Sequence, residues 1–461
     1  MDKAAGGYLT TRGNKFIAPD GSAIRLRGVC LGGWMNMENF ITGFASTEQV
    51  MRSALRQVLG EDLTARFFSG FMSSFFTEDD AKLLAGTSLN LVRIPVNYRQ
   101  FEDDSRPFQL KADGFHELDR AIEACARHGV YSVIDLHAVP GGQNQRWHSD
   151  NPTHRAMFWE HPHFQDRAVH LWESLADHYR DWTWVAGYNL LNEPADESRT
   201  SVASFYSRLV TAVRAVDPHH ILFLDGNTYS TEFDCFDGSW DNAVYVCHDY
   251  ALPGLGAGGQ YPGETRGAWH DRPVLEEKFL ERSAHIRDLG MPVWVGEFGP
   301  IYTGDRSVDE QRSRVLSDQL SIYRDYGASW AIWTYKDLGM QGLAFVQPTS
   351  PYGSLVRDFV QKKVRFGADN WGSTGEEAPE VTRPVQDFIA KQFPQFDPYP
   401  WGRLDWVRTL LQNIMIAEPL AQEYAELFRG LDEAGIDALT QSFALAACTV
   451  REPLRSQLAN G

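Results

Sequence analysis

Eight short apolar runs punctuate the chain, at 24–33, 89–96, 131–138, 185–194, 221–226, 243–250, 293–300 and 329–336. They are rich in Val, Ile, Leu and aromatic residues and lack clean alternation of apolar and polar positions, as strands buried on both faces do. Between them lie stretches with apolar residues at helical spacing, at 114–128, 164–179, 202–216, 275–289 and 310–326. Capping patterns (Ser46…Gln49, Thr77…Asp80, Ser307…Glu310) open helices, and Gly or Pro closes them near 129, 218 and 292. Such alternation, with right-handed crossovers, predicts an α/β fold: a (β/α)8 TIM barrel rather than an open doubly wound sheet. No GxGxxG or GxxxxGK[ST] follows the first strand, which argues against nucleotide binding. The long segments 34–88 and 143–163 are expected to shape a cleft on the catalytic face.

Past the last strand the pattern changes. Residues 1–366 read as the barrel and 367–403 as a Pro/Gly-rich connection. Residues 404–461 read as a helical extension that packs on the barrel or on a second subunit, which would make a homo-oligomer. Composition narrows the function. Lys and Arg number 43 against 61 Asp and Glu, a net charge of −18, and an acidic surface repels nucleic acid. The five cysteines form no CxxC pair and read as free thiols. No signal-like h-region and no membrane-length apolar run is present, so a cytoplasmic protein is expected, secreted only if a leader was removed. The chain carries 14 Trp, 17 Tyr and 27 Phe; most belong in a core, but a surplus of indoles also suits proteins that stack sugar rings.

In a (β/α)8 barrel the active site lies at the C-terminal strand ends, so polar residues there are the first candidates. Arg93, His137, Asn192, Glu193, His248, Tyr250, Glu297 and Trp333 all end predicted strands. Any one alone reads as a satisfied structural group; their convergence does not. Two carboxylates in such a ring point to glycoside hydrolysis, which needs one acid for the leaving oxygen and a second for attack or for activating water. In NLLNEP, Glu193 precedes the Pro that ends its strand; in VGEFGP, Glu297 lies among glycines that leave room for a ligand. The histidine pairs His161/His163 and His219/His220 lie off the strand ends, so neither a metal nor another cofactor is expected. No GxSxG elbow supports a serine hydrolase.

The motifs VRIPVNY (92–98), DLHAVPGGQN (135–144), NLLNEP (189–194), CHDY (247–250), GEFGP (296–300) and WAIWTYK (330–336) together resemble glycoside hydrolase family 5, of the 4/7 barrel clan. GVCLGGWMNMENFIT (28–42) and DLHAVPGGQN are similar to its exo-β-1,3-glucanase and β-glucosidase branch, although WTYKDLGMQGL (333–343) departs from the strand-eight tail of that branch. The resemblance implies Glu193 as general acid/base, with a raised pKa, and Glu297 as nucleophile held anionic by Arg93. It implies Asn192 on the sugar 2-hydroxyl, His248 orienting Glu193 and Tyr250 steadying Glu297. His137 would hydrogen-bond the sugar and Trp333 form its floor; Glu38 and Trp34 would close the pocket, with Asn144 a further substrate contact. The expected activity is retaining, exo-acting hydrolysis of β-glucosides or short β-glucans. Alternatives are an endo-acting glucanase or mannanase, a hydrolase of steryl, lipid or plant β-glycosides, and an inactive carbohydrate-binding barrel.

Overall fold

The computed structural model describes residues 6–256, 259–368, 371 and 379–461. Eight parallel strands close a barrel in sequence order: β1 (Arg27–Cys30), β2 (Leu91–Asn97), β3 (Tyr131–Ala138), β4 (Val185–Asn189), β5 (Ile221–Asp225), β6 (Ala243–His248), β7 (Trp294–Glu297) and β8 (Ser329–Ile332). Each predicted run contains one of them, except that β2 runs one residue past the predicted 89–96. The muddled alternation has a direct cause, since both faces of each strand are apolar. Val92, Ile94 and Val96 of β2 point to the helices, whereas Leu91 joins Val133, Phe223, Val246 and Trp294 inside the barrel. An N-terminal three-stranded sheet (Thr10–Arg12, Lys15–Ile17, Ala23–Ile24) closes the bottom, with Phe16 stacking on Phe223 and meeting Trp294 edge-on. Towards the strands' C-terminal ends the buried side chains become Arg93, Asp135, Asn189, Asp225, His248 and Glu297. The interior is thus oil below and charge above.

The outer layer holds α1 (Glu48–Phe75), α2 (Glu78–Gly86), α3 (His116–Arg127), α4 (Pro162–Tyr179), α5 (Ser201–Val216), α6 (Arg272–Arg282), α7 (Arg306–Asp325) and α8 (Pro351–Arg365). At α2, Asp80 accepts hydrogen bonds from the N–H and hydroxyl of Thr77, as the capping pattern anticipates. Two other caps sit elsewhere: α1 starts at Thr47 rather than Ser46, and α7 at Asp305 rather than Ser307, each capping side chain accepting backbone N–H groups.

Segment 34–88 is largely helix rather than loop, because α1 carries the apolar stripe against which the C-terminal region packs. Beyond α8 come α9 (Pro379–Gln392), α10 (Gly402–Thr409), α11 (Ala417–Glu426), α12 (Glu433–Gln441) and α13 (Glu452–Asn460). Phe67 and Phe71 of α1 meet Phe428 and Phe443 edge to face. These residues of the extension are buried against this chain's own barrel, while Leu404 and Met415 stay exposed. Part of the predicted 367–403 connection, 369–370 and 372–378, lies outside the described residues. The remainder is more than a linker, as it contains α9 and brings Trp401 to the mouth of the barrel. The unusual strand-eight tail has its explanation here. Lys336–Asp337 pairs with Ala344–Val346, which pairs in turn with Cys448–Val450 of the extension.

Lys336 fastens these parts together. Fully buried, its ammonium donates to Asp80 (2.8 Å) and to the carbonyls of Phe75 (2.6 Å) and Phe443 (2.8 Å). Lys336→Met leaves the Asp80 carboxylate buried without its cation, and a loss of about 3–5 kcal/mol in urea unfolding is expected. A loss below about 1 kcal/mol, the size of an exposed pair, would show that the bond carries no structural weight.

Candidate active site

Arg93 organises the upper layer. Fully buried on β2, it donates to Glu297 Oε1 (2.7 Å), Asn192 Oδ1 (2.7 Å) and Asn189 Oδ1 (3.1 Å), and lies 3.2 Å from Asp135 Oδ2. Burial opposes its charge, but Asp135 and Glu297 outweigh burial and hold the guanidinium protonated. The other oxygen of Glu297 accepts from the Tyr250 hydroxyl (2.9 Å).

Glu193 lies just past β4 with φ of 46°, a left-handed conformation that costs a non-glycine residue energy. Its N–H donates to Asp225 Oδ2 (2.9 Å), and Asp225 is itself held by Asn189 Nδ2 (2.8 Å), so β5 and β4 together fix this turn. Its carboxylate sits between two imidazoles: His248 Nδ1 at 2.6 Å from Oε1 and His148 Nε2 at 3.0 Å from Oε2. His248 Nδ1 is also 3.7 Å from Glu297 Oε2, and one ligand atom from each of Glu193, His248 and Glu297 lies within 4.8 Å of the others.

The protonation pattern differs from the sequence expectation. Burial pushes the Glu193 carboxyl up, but contacts with His148 and His248 outweigh it and hold Glu193 below the usual carboxylate range. Burial lowers His248, yet the surrounding carboxylates of Glu297, Glu193 and Asp225 carry it above the usual histidine value. Both directions favour a shared proton on the His248 side of the pair, 2.6 Å from Glu193 Oε1. Asp225 is pushed up to about 6, chiefly by burial. His137, between Asp135 Oδ2 (2.7 Å) and Glu38 Oε1 (3.6 Å), is pushed up to about 10 against the effect of burial, so it is a cation at neutral pH.

The cavity above these groups, about 280 Å³, is lined by Glu38, His137, Trp333, Tyr250, Trp371 and Glu297 on one side. Glu193, His148, Trp147, Tyr229, Arg146, Trp401, Asp405 and Arg408 line the other. Trp333 stacks on His137 at 5.5 Å. A larger cleft of about 920 Å³, between Trp159, Asp196 and Tyr399, contains neither catalytic-type carboxylate. Three predicted roles change. Trp34 is wholly buried, its indole donating to the Met72 carbonyl, and belongs to the core rather than to the pocket wall. Asn144 lies behind the acid, donating to the Glu193 carbonyl (3.0 Å) beside His148, so it supports the turn instead of facing the cavity. Asn192 is fully buried between Arg93 and His137 and is not among the lining residues. The glycines flanking Glu297 also serve neighbouring strands rather than a ligand. A Cβ on Gly296 would meet Val246 at 2.5 Å, and one on Gly299 the Trp333 carbonyl at 2.8 Å.

Sequence reading missed His148, Tyr229, Trp371, Trp401, Asp405 and Arg408. Only His148 had a signal, its position in the predicted cleft loop. Tyr229 follows β5 in a turn that no local motif marks, and the others come from segments that end no barrel strand.

Two acids brought together at the ends of β4 and β7 of a closed barrel, one on an arginine and one between histidines, are the kind of pair that glycoside hydrolysis requires. The chain belongs to glycoside hydrolase family 5: residues 60–339 match the family described as Cellulase (glycosyl hydrolase family 5). It is 45% identical to a protein named Beta-xylosidase from Phanerodontia chrysosporium, over 98% of this chain and 97% of the relative. It is 28% identical to a Probable glucan 1,3-beta-glucosidase A from Aspergillus fumigatus, over 69% of this chain and 84% of that one. Among solved structures, an endogalactoceramidase superposes with a TM-score of 0.54 at 18% identity, covering 72% of this chain and 75% of its own, a likeness of fold. No described helix is long and apolar enough to cross a membrane.

If the proton needed for catalysis is stored on the Glu193–His248 pair, kcat/KM falls as pH rises through a pKa above the ordinary histidine value. His248→Ala removes the storage site, and the alkaline limb is expected to move down by about one unit or more. An unmoved limb would place the titrating proton elsewhere.

Proposed function

We propose that the protein is a retaining, exo-acting β-glycosidase that releases a terminal sugar, with β-xylosides as its first substrates. The observation that carries the mechanism is the spacing of the two acids. One oxygen of Glu193 and one of Glu297 lie within 4.8 Å of each other, a close approach that favours the roughly 5–5.5 Å carboxyl separation of retaining pairs over the 6.5–9.5 Å of inverting ones. Glu297, fixed by Arg93 and Tyr250, attacks the anomeric carbon. The C1–O bond breaks, its electron pair passes to the glycosidic oxygen, and Glu193 supplies the proton it holds in common with His248. Water, deprotonated by Glu193, then attacks C1 from the vacated side and releases Glu297, so the β configuration is kept.

Exo action is supported by the small cavity, at the low end of the roughly 300–1,000 Å³ of small-molecule pockets, and by the aromatic side chains around it. β-Xyloside specificity is supported by the full-length relative, whose match includes the C-terminal region that here contributes Trp401, Asp405 and Arg408 to the cavity. β-Glucosides are the second reading, favoured by the glucosidase relative and by the motifs at 28–42 and 135–144.

A panel of p-nitrophenyl β-glycosides should show the β-xyloside turned over fastest, and β-linked oligosaccharides should release only monosaccharide; a ladder of intermediate lengths would overturn exo action. The first product seen by proton NMR should be the β anomer, an α product excluding retention. Glu297→Gln should lower kcat by at least about a thousandfold, some 4 kcal/mol of barrier, with the fold intact. Azide should rescue Glu193→Ala as a β-glycosyl azide.

A further inference from the structure

The cavity has two walls of different chemistry. Tyr250, Trp371, His137 and Trp333 lie around Glu297: Tyr250 donates to Glu297 and meets Trp371 at a tilt, and His137 stacks on Trp333. The opposite wall begins at the acid. His148 contacts Glu193 and meets Tyr229 edge-on at 6.0 Å, and Tyr229 faces Trp401 at 5.6 Å. Trp401 is half exposed, an indole left open at the mouth.

This second wall is built at a cost. Thr228, Tyr229 and Ser230 all have positive φ (51°, 59° and 62°), three successive non-glycine residues in the left-handed region. The turn is pinned by the Ser230 hydroxyl on the Val246 carbonyl (2.6 Å) and by Thr228 Oγ1 against the Tyr399 hydroxyl (2.7 Å). It thus presents Tyr229 to the cavity and ties down the segment that carries Trp401. Beside the two rings, Arg146 donates to Asp405 (2.6 Å) and to Thr409 (2.7 Å), with Arg408 next along the wall. Trp401, Asp405 and Arg408 all lie outside residues 60–339, the part matched to the family.

We infer that Tyr229 and Trp401, edged by Arg146, Asp405 and Arg408, form a binding site for a second pyranose, the leaving group of a disaccharide-type β-glycoside. The inference rests on the roles of Glu193 and Glu297 proposed above, because the leaving group departs on the side of the acid. A pyranose offers apolar C–H faces to the rings and hydroxyls to the edge. A steryl or lipid aglycone would cover Asp405 and Arg408 without replacing their water, which is costly for charged groups.

The test compares two substrates of the same glycone: a β-linked disaccharide, and the glycosyl fluoride, whose leaving group is too small to reach Trp401. Trp401→Ala is expected to lower kcat/KM for the disaccharide about thirtyfold more than for the fluoride, as loss of an aromatic anchor does. Trp401→Phe, which keeps a ring, should recover most of that difference. Equal losses on both substrates, or no loss on either, would overturn the site. Failure of the wild-type protein to hydrolyse any β-glycosyl fluoride would instead remove the reading of Glu193 and Glu297, and this inference with it.

Discussion

Everything in the upper barrel depends on keeping one guanidinium charged out of water. Arg93 has no solvent contact, and an isolated buried cation is too costly to persist. Its oxygen partners, Glu297, Asn192, Asn189 and Asp135, come from strands β3, β4 and β7 or the turn after β4. Satisfying the arginine therefore fixes the relative heights of those strand ends, and the Glu297 carboxylate is positioned as a consequence of solving a solvation problem.

Charge balance extends from that centre outward. His137 is held cationic by Asp135 and Glu38, and Glu297, Glu193 and Asp225 raise His248 above the usual histidine value against the effect of burial. Asp135, Glu193, Asp225 and Glu297 each serve at least two partners, so removing any one of them leaves another buried group short of its partner. The same arrangement sets a histidine nitrogen 2.6 Å from a carboxylate oxygen, close enough for the two to share a proton. A carboxyl that must give and then take a proton in successive steps is well served by such a neighbour.

The C-terminal region ties stability to specificity. Its later helices pack on α1 and meet Lys336, while its earlier part supplies Trp401, Asp405 and Arg408 to the cavity. A change in how those helices seat on the barrel would alter the shape of the pocket without touching the two acids. The departure of the strand-eight tail from the exo-glucanase pattern reflects the same coupling, as that tail pairs with Cys448–Val450.

The sequence by itself determined the eight strands and the acid pair, because strand ends in a barrel converge whatever surrounds them and the local motifs mark those ends. Arg93, His137, Glu193, His248, Tyr250 and Glu297 were legible for that reason. It could not say which way Trp34 turns, since an indole in a run of buried residues has the same local signature facing core or cavity. Nor could it bring Tyr229, Trp371 and Trp401 to one mouth. That meeting depends on a left-handed turn after β5 and on how the extension packs, both set by contacts between residues distant in the chain. The chemistry is written locally along the strands, while the shape of the pocket is a property of the packed whole.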